Sequence, residues 1–425
     1  MTDIAAIKKN LRFIKFRKLT IASLLIGFLS GLLAISLKHL TENYEKTLFH
    51  QSQANPLFTV IFPVVGLSVI YILRQYLFKK KENKGIREIF ESTNSKSKNL
   101  PLYKIPSHFF NGFLTVIFGG STGIEVSTVV ATATIGSVAQ QKENLFRKYK
   151  SELISAGVAA GITALFNSPA AGILFALEVI SKKPTKAFFA ATILAVMVAF
   201  GLLYVVNEPT LFSINITTWH FHAIPYFILL GILSGINSIY LTKCVLFFKA
   251  QFSKINFHFY RILLGAALLS LMLLVFPQLY GDGYHAIADL IFPGKNLTLT
   301  PIFALTLVGL LILKPVITSI TLASGGDGGV FAPSLFIGAF LGFLLATVLN
   351  TFFGADVIPL NFVIIGMAAM LSASIHAPFT SLFLVCGLID DYTLFFPILV
   401  ICLISKYTAK MLYPFTVYTY APILK

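Results

Sequence analysis

A chain of 425 residues that is 56% hydrophobic and 12% charged, with a mean hydropathy of +0.82, carries more apolar surface than a soluble fold has interior to hide. Its net charge of +16 would suit a nucleic-acid binder, but the basic residues sit in short loops at 8–18, 79–104, 142–150 and 182–186, with apolar runs between them. Composition thus sets aside soluble and nucleic-acid-binding classes, and continuous rather than alternating apolar runs set aside a β-barrel. What remains is an all-α polytopic membrane protein.

In chain order, residues 1–18 form a basic tail with Lys8, Lys9, Arg12, Lys15, Arg17 and Lys18. The run from Leu19 to Leu37 is too long for a signal-peptide core and lacks an Ala-x-Ala exit, so it reads as a retained span, beginning an apolar segment at 19–40. Further segments at 57–78, 105–118, 126–141, 152–166, 169–181 and 186–206 complete a first half, 19–206. A second half, 207–425, holds segments at 222–250, 260–277, 301–322, 330–351, 361–375, 378–389 and 393–413. Two apolar stretches separate consecutive basic clusters. Each cluster then falls on one side, which places the N-terminus in the cytoplasm and the chain in the cell membrane as a multi-pass protein. Several segments are too short to cross roughly 30 Å of hydrocarbon as helices.

One short segment carries an acid. Glu125 lies in an otherwise uncharged stretch, 118–136, rich in Gly, Ser and Thr. A carboxylate at membrane depth costs roughly 2.5–3.5 kcal/mol on insertion scales, so such residues mark ion paths more often than packing. Irregular backbone there is tolerated only where protein or water surrounds it. The stretch describes a broken helix beside an ion path.

The halves repeat one another. Gly157 to Pro169 aligns without gaps on Gly366 to Pro378, sharing Gly157/Gly366, Ala159/Ala368, Ala160/Ala369, Ala164/Ala373 and Pro169/Pro378. Gly123-Ile-Glu-Val-Ser-Thr128 falls on Gly329-Val-Phe-Ala-Pro-Ser334, and Ile135-Gly136 falls near Ile337-Gly338. Short interrupted segments in matching places of two halves describe an inverted-topology repeat of tilted and broken helices, with the breaks meeting at the midplane. Both breaks, Gly119 to Ser127 and Ser324 to Pro333, lead from glycine-rich loops into apolar helices. Paired helix N-termini would attract an anion through unpaired N–H groups and the helix dipole, without the full charge that traps it.

Cys244, Cys386 and Cys402 have apolar surroundings and no metal or redox spacing. No cofactor, metal or catalytic residue is expected. Gly119-Gly-Ser121-Thr-Gly123 does match the nucleophile elbow of serine hydrolases, which makes an intramembrane hydrolase the distant alternative; neither the preceding strand nor a partnered base (His108 is nearest) is evident.

Gly123 to Thr128 looks like the Gly-x-Glu-x-Pro signature of the CLC chloride channel and transporter family. Phe166 to Glu178 is similar to the family's following helix pair, and Gly328-Gly-Val-Phe-Ala-Pro-Ser334 resembles its Gly-x-Phe-x-Pro motif. The match continues through Gly366 to Thr380 and Asp390-Asp-Tyr392, so the resemblance spans about residues 20–424. It implies a homodimer with a separate pathway for chloride or a like anion in each subunit, and Glu125 as the gate. It implies anion ligands from the amides around Ile124, Glu125, Val330 and Phe331, a Ser hydroxyl, and a Tyr hydroxyl. Thr416-Val-Tyr-Thr419 resembles the family's terminal motif and points to Tyr418, with Tyr413 as second choice.

Three departures from the family pattern stand out. Lys84, beside Gly85, replaces the selectivity Ser, and Arg87 replaces a Pro; Lys84 either snorkels at the end of the basic run 79–81 or faces the inner anion mouth. Ser127 replaces the gating-loop Pro, and Ser caps helices well. Val179, just after Glu178, stands where antiporters of the family carry a proton-transfer acid. Passive, channel-like conduction is the preferred reading on that ground, with proton-coupled antiport as the alternative and protons as a second transported species. Glu178 reads as a proton-path or structural group, and Asp327 as a loop carboxylate. The sequence stops just after the last motif, so no regulatory domain is expected to follow, and fluoride in place of chloride is not distinguished.

Overall fold

The computed structural model describes residues 2–78, 85–95, 97–142, 148–181, 184–292 and 300–419. Among these it is all helical, apart from one isolated antiparallel bridge. The helices are α1 (Thr2–Ala54), α2 (Pro56–Ile72), α3 (Ile86–Asn94), α4 (Lys104–Ile117), α5 (Glu125–Lys142), α6 (Lys150–Phe166), α7 (Pro169–Phe175) and α8 (Lys186–Val206). They continue as α9 (Ile224–Ser253), α10 (His258–Val275), α11 (Tyr284–Ile291), α12 (Pro301–Ser324), α13 (Phe331–Phe353), α14 (Pro359–Ile375), α15 (Pro378–Ile389) and α16 (Phe395–Leu412). Eight helices among the described residues are long and apolar enough to cross a bilayer. The short apolar helices Pro359–Ile375 and Pro378–Ile389 are the interrupted segments that the sequence suggested.

Three elements exceed what the apolar pattern outlined. The first helix runs on to Ala54, because the polar residues after 40 are helix formers whose buried members face protein: Thr41, Glu45 and Ser52 are buried. It stops where Asn55 turns extended, caps α2 by accepting the Leu57 N–H at 2.9 Å, and hands over to Pro56 at the first helical position. Helices α3 and α11 fall in polar stretches that showed no span and are too short to make one.

The chain forms two compact units. One comprises Met1–Leu37, Lys84–His108 and Thr128–Pro209. Its core is a small-residue seam in which Ala22 and Ile26 of α1, Leu153, Ala156 and Ala160 of α6, and Ala191, Ala195 and Ala199 of α8 pack together. Small side chains allow the close backbone approach that drives helix association where no water is left to exclude. The other unit comprises Lys38–Asn83, Phe109–Ser127 and Thr210–Lys425. In it α13 lies along α14, α14 also meets α9 and α16, and α10 sits against α2 and α12.

Each unit contains one copy of the same helix pair. In the first, α6 ends at Asn167 in the left-handed region (φ 51°) and Pro169 starts α7; in the second, α14 ends at His376 (φ 57°) and Pro378 starts α15. Crossing contacts repeat as well. A Cβ on Gly157 would lie 2.2 Å from the Thr132 carbonyl oxygen, and one on Gly366 would lie 2.2 Å from that of Gly338. A Cβ on Gly136 would meet the Leu153 oxygen at 2.1 Å, and one on Gly342 the Phe362 oxygen at 2.0 Å. The repeat is therefore real, but Gly136 corresponds to Gly342, one helical turn beyond the Gly338 that sequence alignment suggested.

Candidate functional site: two helix starts around one carboxylate

The site begins where two helices end. Helix α4 closes with Gly119 at φ +83°, and the Gly120 N–H donates to the Thr115 carbonyl at 2.8 Å. Helix α12 closes identically, with Gly325 at φ +110° and the Gly326 N–H donating to the Thr321 carbonyl at 2.9 Å. Only a residue without Cβ takes that backbone cheaply, so both breaks carry Gly. The two loops then cross-bond. The Ser121 N–H donates to Thr321 Oγ1 at 3.1 Å, and the Asp327 N–H donates to Thr115 Oγ1 at 2.9 Å. Beyond the crossing, Gly123 and Gly329 exchange backbone hydrogen bonds of 3.3 and 3.5 Å as an antiparallel bridge.

Helices α5 and α13 start two residues past that bridge, at Glu125 and Phe331. Their first turns present N–H groups that have no acceptor within their own helix, at the positive ends of two helix dipoles. Ile124, Val330 and Phe331 are buried there. Each cross-bonded threonine holds one of the two loops. Substituting Thr115→Val or Thr321→Val leaves one buried N–H without its acceptor, and each should lower stability by a similar amount, about 1–3 kcal/mol, measured as thermal unfolding in detergent.

Glu125 is 2% exposed. Its side chain folds back over the loop, so that a Cβ on Gly123 would lie 1.8 Å from Oε2; only Gly here leaves room for this conformer. The Tyr284 hydroxyl donates to Glu125 Oε1 at 2.8 Å, and the backbone N–H groups of Glu125 and Ala332 lie near the carboxyl. The carboxyl thus lies beside the first turns of both helices, with its one hydrogen bond among the described residues coming from Tyr284.

Tyr418, from the segment after α16, reaches the start of α13. Its hydroxyl accepts the Val330 N–H at 3.3 Å, and its ring centroid is 6.4 Å from that of Phe331. The Thr416 hydroxyl accepts the N–H groups of Tyr418 and Thr419, a local turn that aims the ring. Tyr413 instead stacks beneath Lys243, whose Nζ is 5.7 Å from the ring centroid. Asp327 is a loop carboxylate, as read: it accepts the Gly328 N–H at 3.0 Å and faces Arg74 at 3.7 Å. Ser127 does not cap. Its hydroxyl is buried, makes no hydrogen bond among the described residues, and lies where a Cβ on Gly112 would be, at 2.5 Å.

Ile124, Glu125, Val330, Phe331 and Tyr418 thus converge within one unit. Gly85, Glu178 and Val179 belong to the other unit, and Lys84 lies outside the described residues. Gly85 (φ 60°) opens α3, which packs on the π-helical turn Ala176–Ile180 that holds half-buried Glu178 and buried Val179. Ser121, the elbow serine, follows a helix and not a strand, so the hydrolase geometry is not formed.

Sequence reasoning missed Tyr284 and the buried charges behind it, Glu45, Asp282 and Lys314. Lys314 carried a usable signal: a lone cation in the apolar run 301–322 deserves the same reading as Glu125.

A polytopic helical protein in which two interrupted helices begin beside one buried carboxyl has the architecture of an ion-transporting membrane protein. The chain matches the model described as voltage gated chloride channel over residues 65–410, and it belongs to that family. Its activity is CLC-type chloride transport. Among curated relatives, it is 28% identical over 324 residues to the H(+)/Cl(-) exchange transporter ClcA of Vibrio parahaemolyticus, covering 72% of this chain and 67% of that one. It is 25% identical over 305 residues to the voltage-gated ClC-type chloride channel ClcB of Salmonella typhimurium, covering 70% and 71%. Among solved structures, a slow cyanobacterial Cl-/H+ antiporter superposes with a TM-score of 0.81 at 22% identity over 95% of this chain and 96% of that one. A CLC-type fluoride/proton antiporter superposes with 0.79 at 25% identity, over 95% and 97%.

Proposed function

We propose that this protein conducts chloride or a similar monovalent anion passively, with Glu125 as its gate. The observation that carries the reading is the position of the Glu125 carboxyl, which fills the place an anion would take between the starts of α5 and α13. An anion entering from solution competes with this side chain, and protonation removes its charge; either event releases it. The amides of Ile124, Glu125, Val330 and Phe331 bind the ion, and Tyr418 lines the inner side. The protein works as a homodimer with one pathway per subunit, in the cell membrane, with its N-terminus in the cytoplasm.

Passive conduction rests on Val179, an apolar residue where a proton-transfer acid would sit. The neighbouring Glu178 is half-buried in the same turn and has a structural or proton-path role. Proton-coupled antiport is a second reading, favoured by the exchange activity in the name of the Vibrio relative and by antiporters among the similar structures. Reconstituted vesicles loaded with chloride and monitored at once for chloride and pH separate the two. The expected result is chloride efflux with no proton movement against it; stoichiometric proton uptake would establish antiport.

A further inference from the structure

Behind the gate lies a buried ionic cluster that the transport reading does not use. Lys314 of α12 is fully buried. Its Nζ lies 3.4 Å from the carbonyl oxygens of Gly281 and Asp282 and 4.6 Å from the centroid of the Phe336 ring. Glu45 of α1 accepts the Asp282 N–H at 3.2 Å through Oε1, and its carboxyl also faces that of Asp282 within hydrogen-bond reach. Asp282 Oδ1 in turn accepts the Tyr284 N–H at 2.9 Å, the first N–H of α11. The hydroxyl of that same tyrosine is the group bonded to Glu125. The cluster and the gate are joined through one residue.

Charge counting gives the cluster a state. Two carboxylates and one ammonium leave one negative charge over, and a buried uncompensated charge is expensive. Two carboxyls facing each other within hydrogen-bond reach need a proton between them. Other titratable groups around the cluster are Lys38 and Glu42, a 4.0 Å pair on α1, with His50, Tyr280, and His285 of α11.

We propose that Tyr284 latches the Glu125 carboxylate in its closed position, and that one proton shared by Glu45 and Asp282 beside Lys314 keeps this latch set. While the proton is held, the cluster is neutral and a charged Glu125 is tolerated beside it. When the proton leaves to water, the cluster gains a negative charge that repels the gate carboxylate, and the latch opens. Efflux then rises at both ends of the pH range: at acid pH as Glu125 takes a proton, and at alkaline pH as the cluster loses one.

The inference rests on the proposed gate, and chloride efflux from phosphatidylethanolamine/phosphatidylglycerol vesicles tests the two apart. Across the pH range in which the vesicles stay sealed, Tyr284→Phe should speed efflux about tenfold near neutral pH, as loss of a hydrogen bond to a charged group implies. It should add less than twofold to Glu125→Ala, because a latch has no effect without its bolt. Asp282→Asn removes the surplus carboxylate at nearly constant size; it should abolish the alkaline rise while the acid rise remains. An alkaline rise that survives Asp282→Asn, or equal acceleration by Tyr284→Phe with and without Glu125, overturns the latch and leaves the gate standing. Efflux unchanged by Glu125→Ala overturns the gate itself.

Discussion

Replacing Glu125 by Ala should raise chloride efflux about tenfold near neutral pH and remove its acid dependence. In the proposed mechanism the carboxyl occupies the anion's place, and a hydrogen bond from Tyr284 at 2.8 Å helps to hold it there. A hydrogen bond to a charged group contributes about 1.5–3 kcal/mol, which shifts an open–closed equilibrium by roughly one to two decades. The direction of the pH effect follows from charge: the ionised side chain competes with chloride and the protonated one does not. Efflux in the parent therefore rises as pH falls, and in Glu125→Ala it is flat in that range. An efflux profile unchanged by the substitution would remove Glu125 from the mechanism.

Gly123→Ala should produce nearly the same phenotype with the acid still present. The three nearest atoms to a Cβ at this position all belong to the Glu125 carboxyl, at 1.8, 2.5 and 2.6 Å. The added methyl group is therefore a steric probe of one conformer, the folded-back one. With that conformer expelled, efflux should again rise about tenfold, the same gain as from deleting the side chain. Stability measured by thermal unfolding should change little, because the carboxyl is the far end of a side chain that can swing away. Slow, still-gated efflux in Gly123→Ala would show that the folded-back position is not the closed state.

Much of this arrangement is legible in the sequence. Glycines at 119–120 and 325–326 announced two helix ends, and the Gly–Pro spacing at 157–169 and 366–378 announced a repeated helix pair. Both depend on local backbone geometry, which few residue types satisfy, so they leave a mark in one dimension. The acid at 125 was visible for the same reason that it matters: it is costly in apolar surroundings. The register of Gly136 was not. Within an apolar helix one turn looks like the next, and only the crossing against Leu153 shows which small residue is needed.

Tyr284 was hidden more deeply. Its helix has eight residues and follows a Gly-Asp-Gly turn in a polar stretch, so periodicity could not separate it from a loop. Glu45, which accepts the N–H of the Asp282 beside it, lay beyond the apolar run 19–40, in the part of α1 that continues to Ala54. A long-range hydrogen bond between residues 159 positions apart has no local signature.

The Gly123–Gly329 bridge pairs residues at corresponding places in the two repeats, and so do the Thr115 and Thr321 bonds. Continuing that correspondence by two residues sets Glu125 opposite Phe331. A duplicated scaffold has kept its backbone framework while its side chains diverged, and at this place one copy has an acid where the other has a phenyl ring. Had both copies carried an acid, two like charges would share one small space and neither would rest there comfortably. On the proposed gating role, a carboxyl in one copy and a phenyl ring in the other would give the pathway a direction: a framework that treats both of its ends alike would have a door on only one of them.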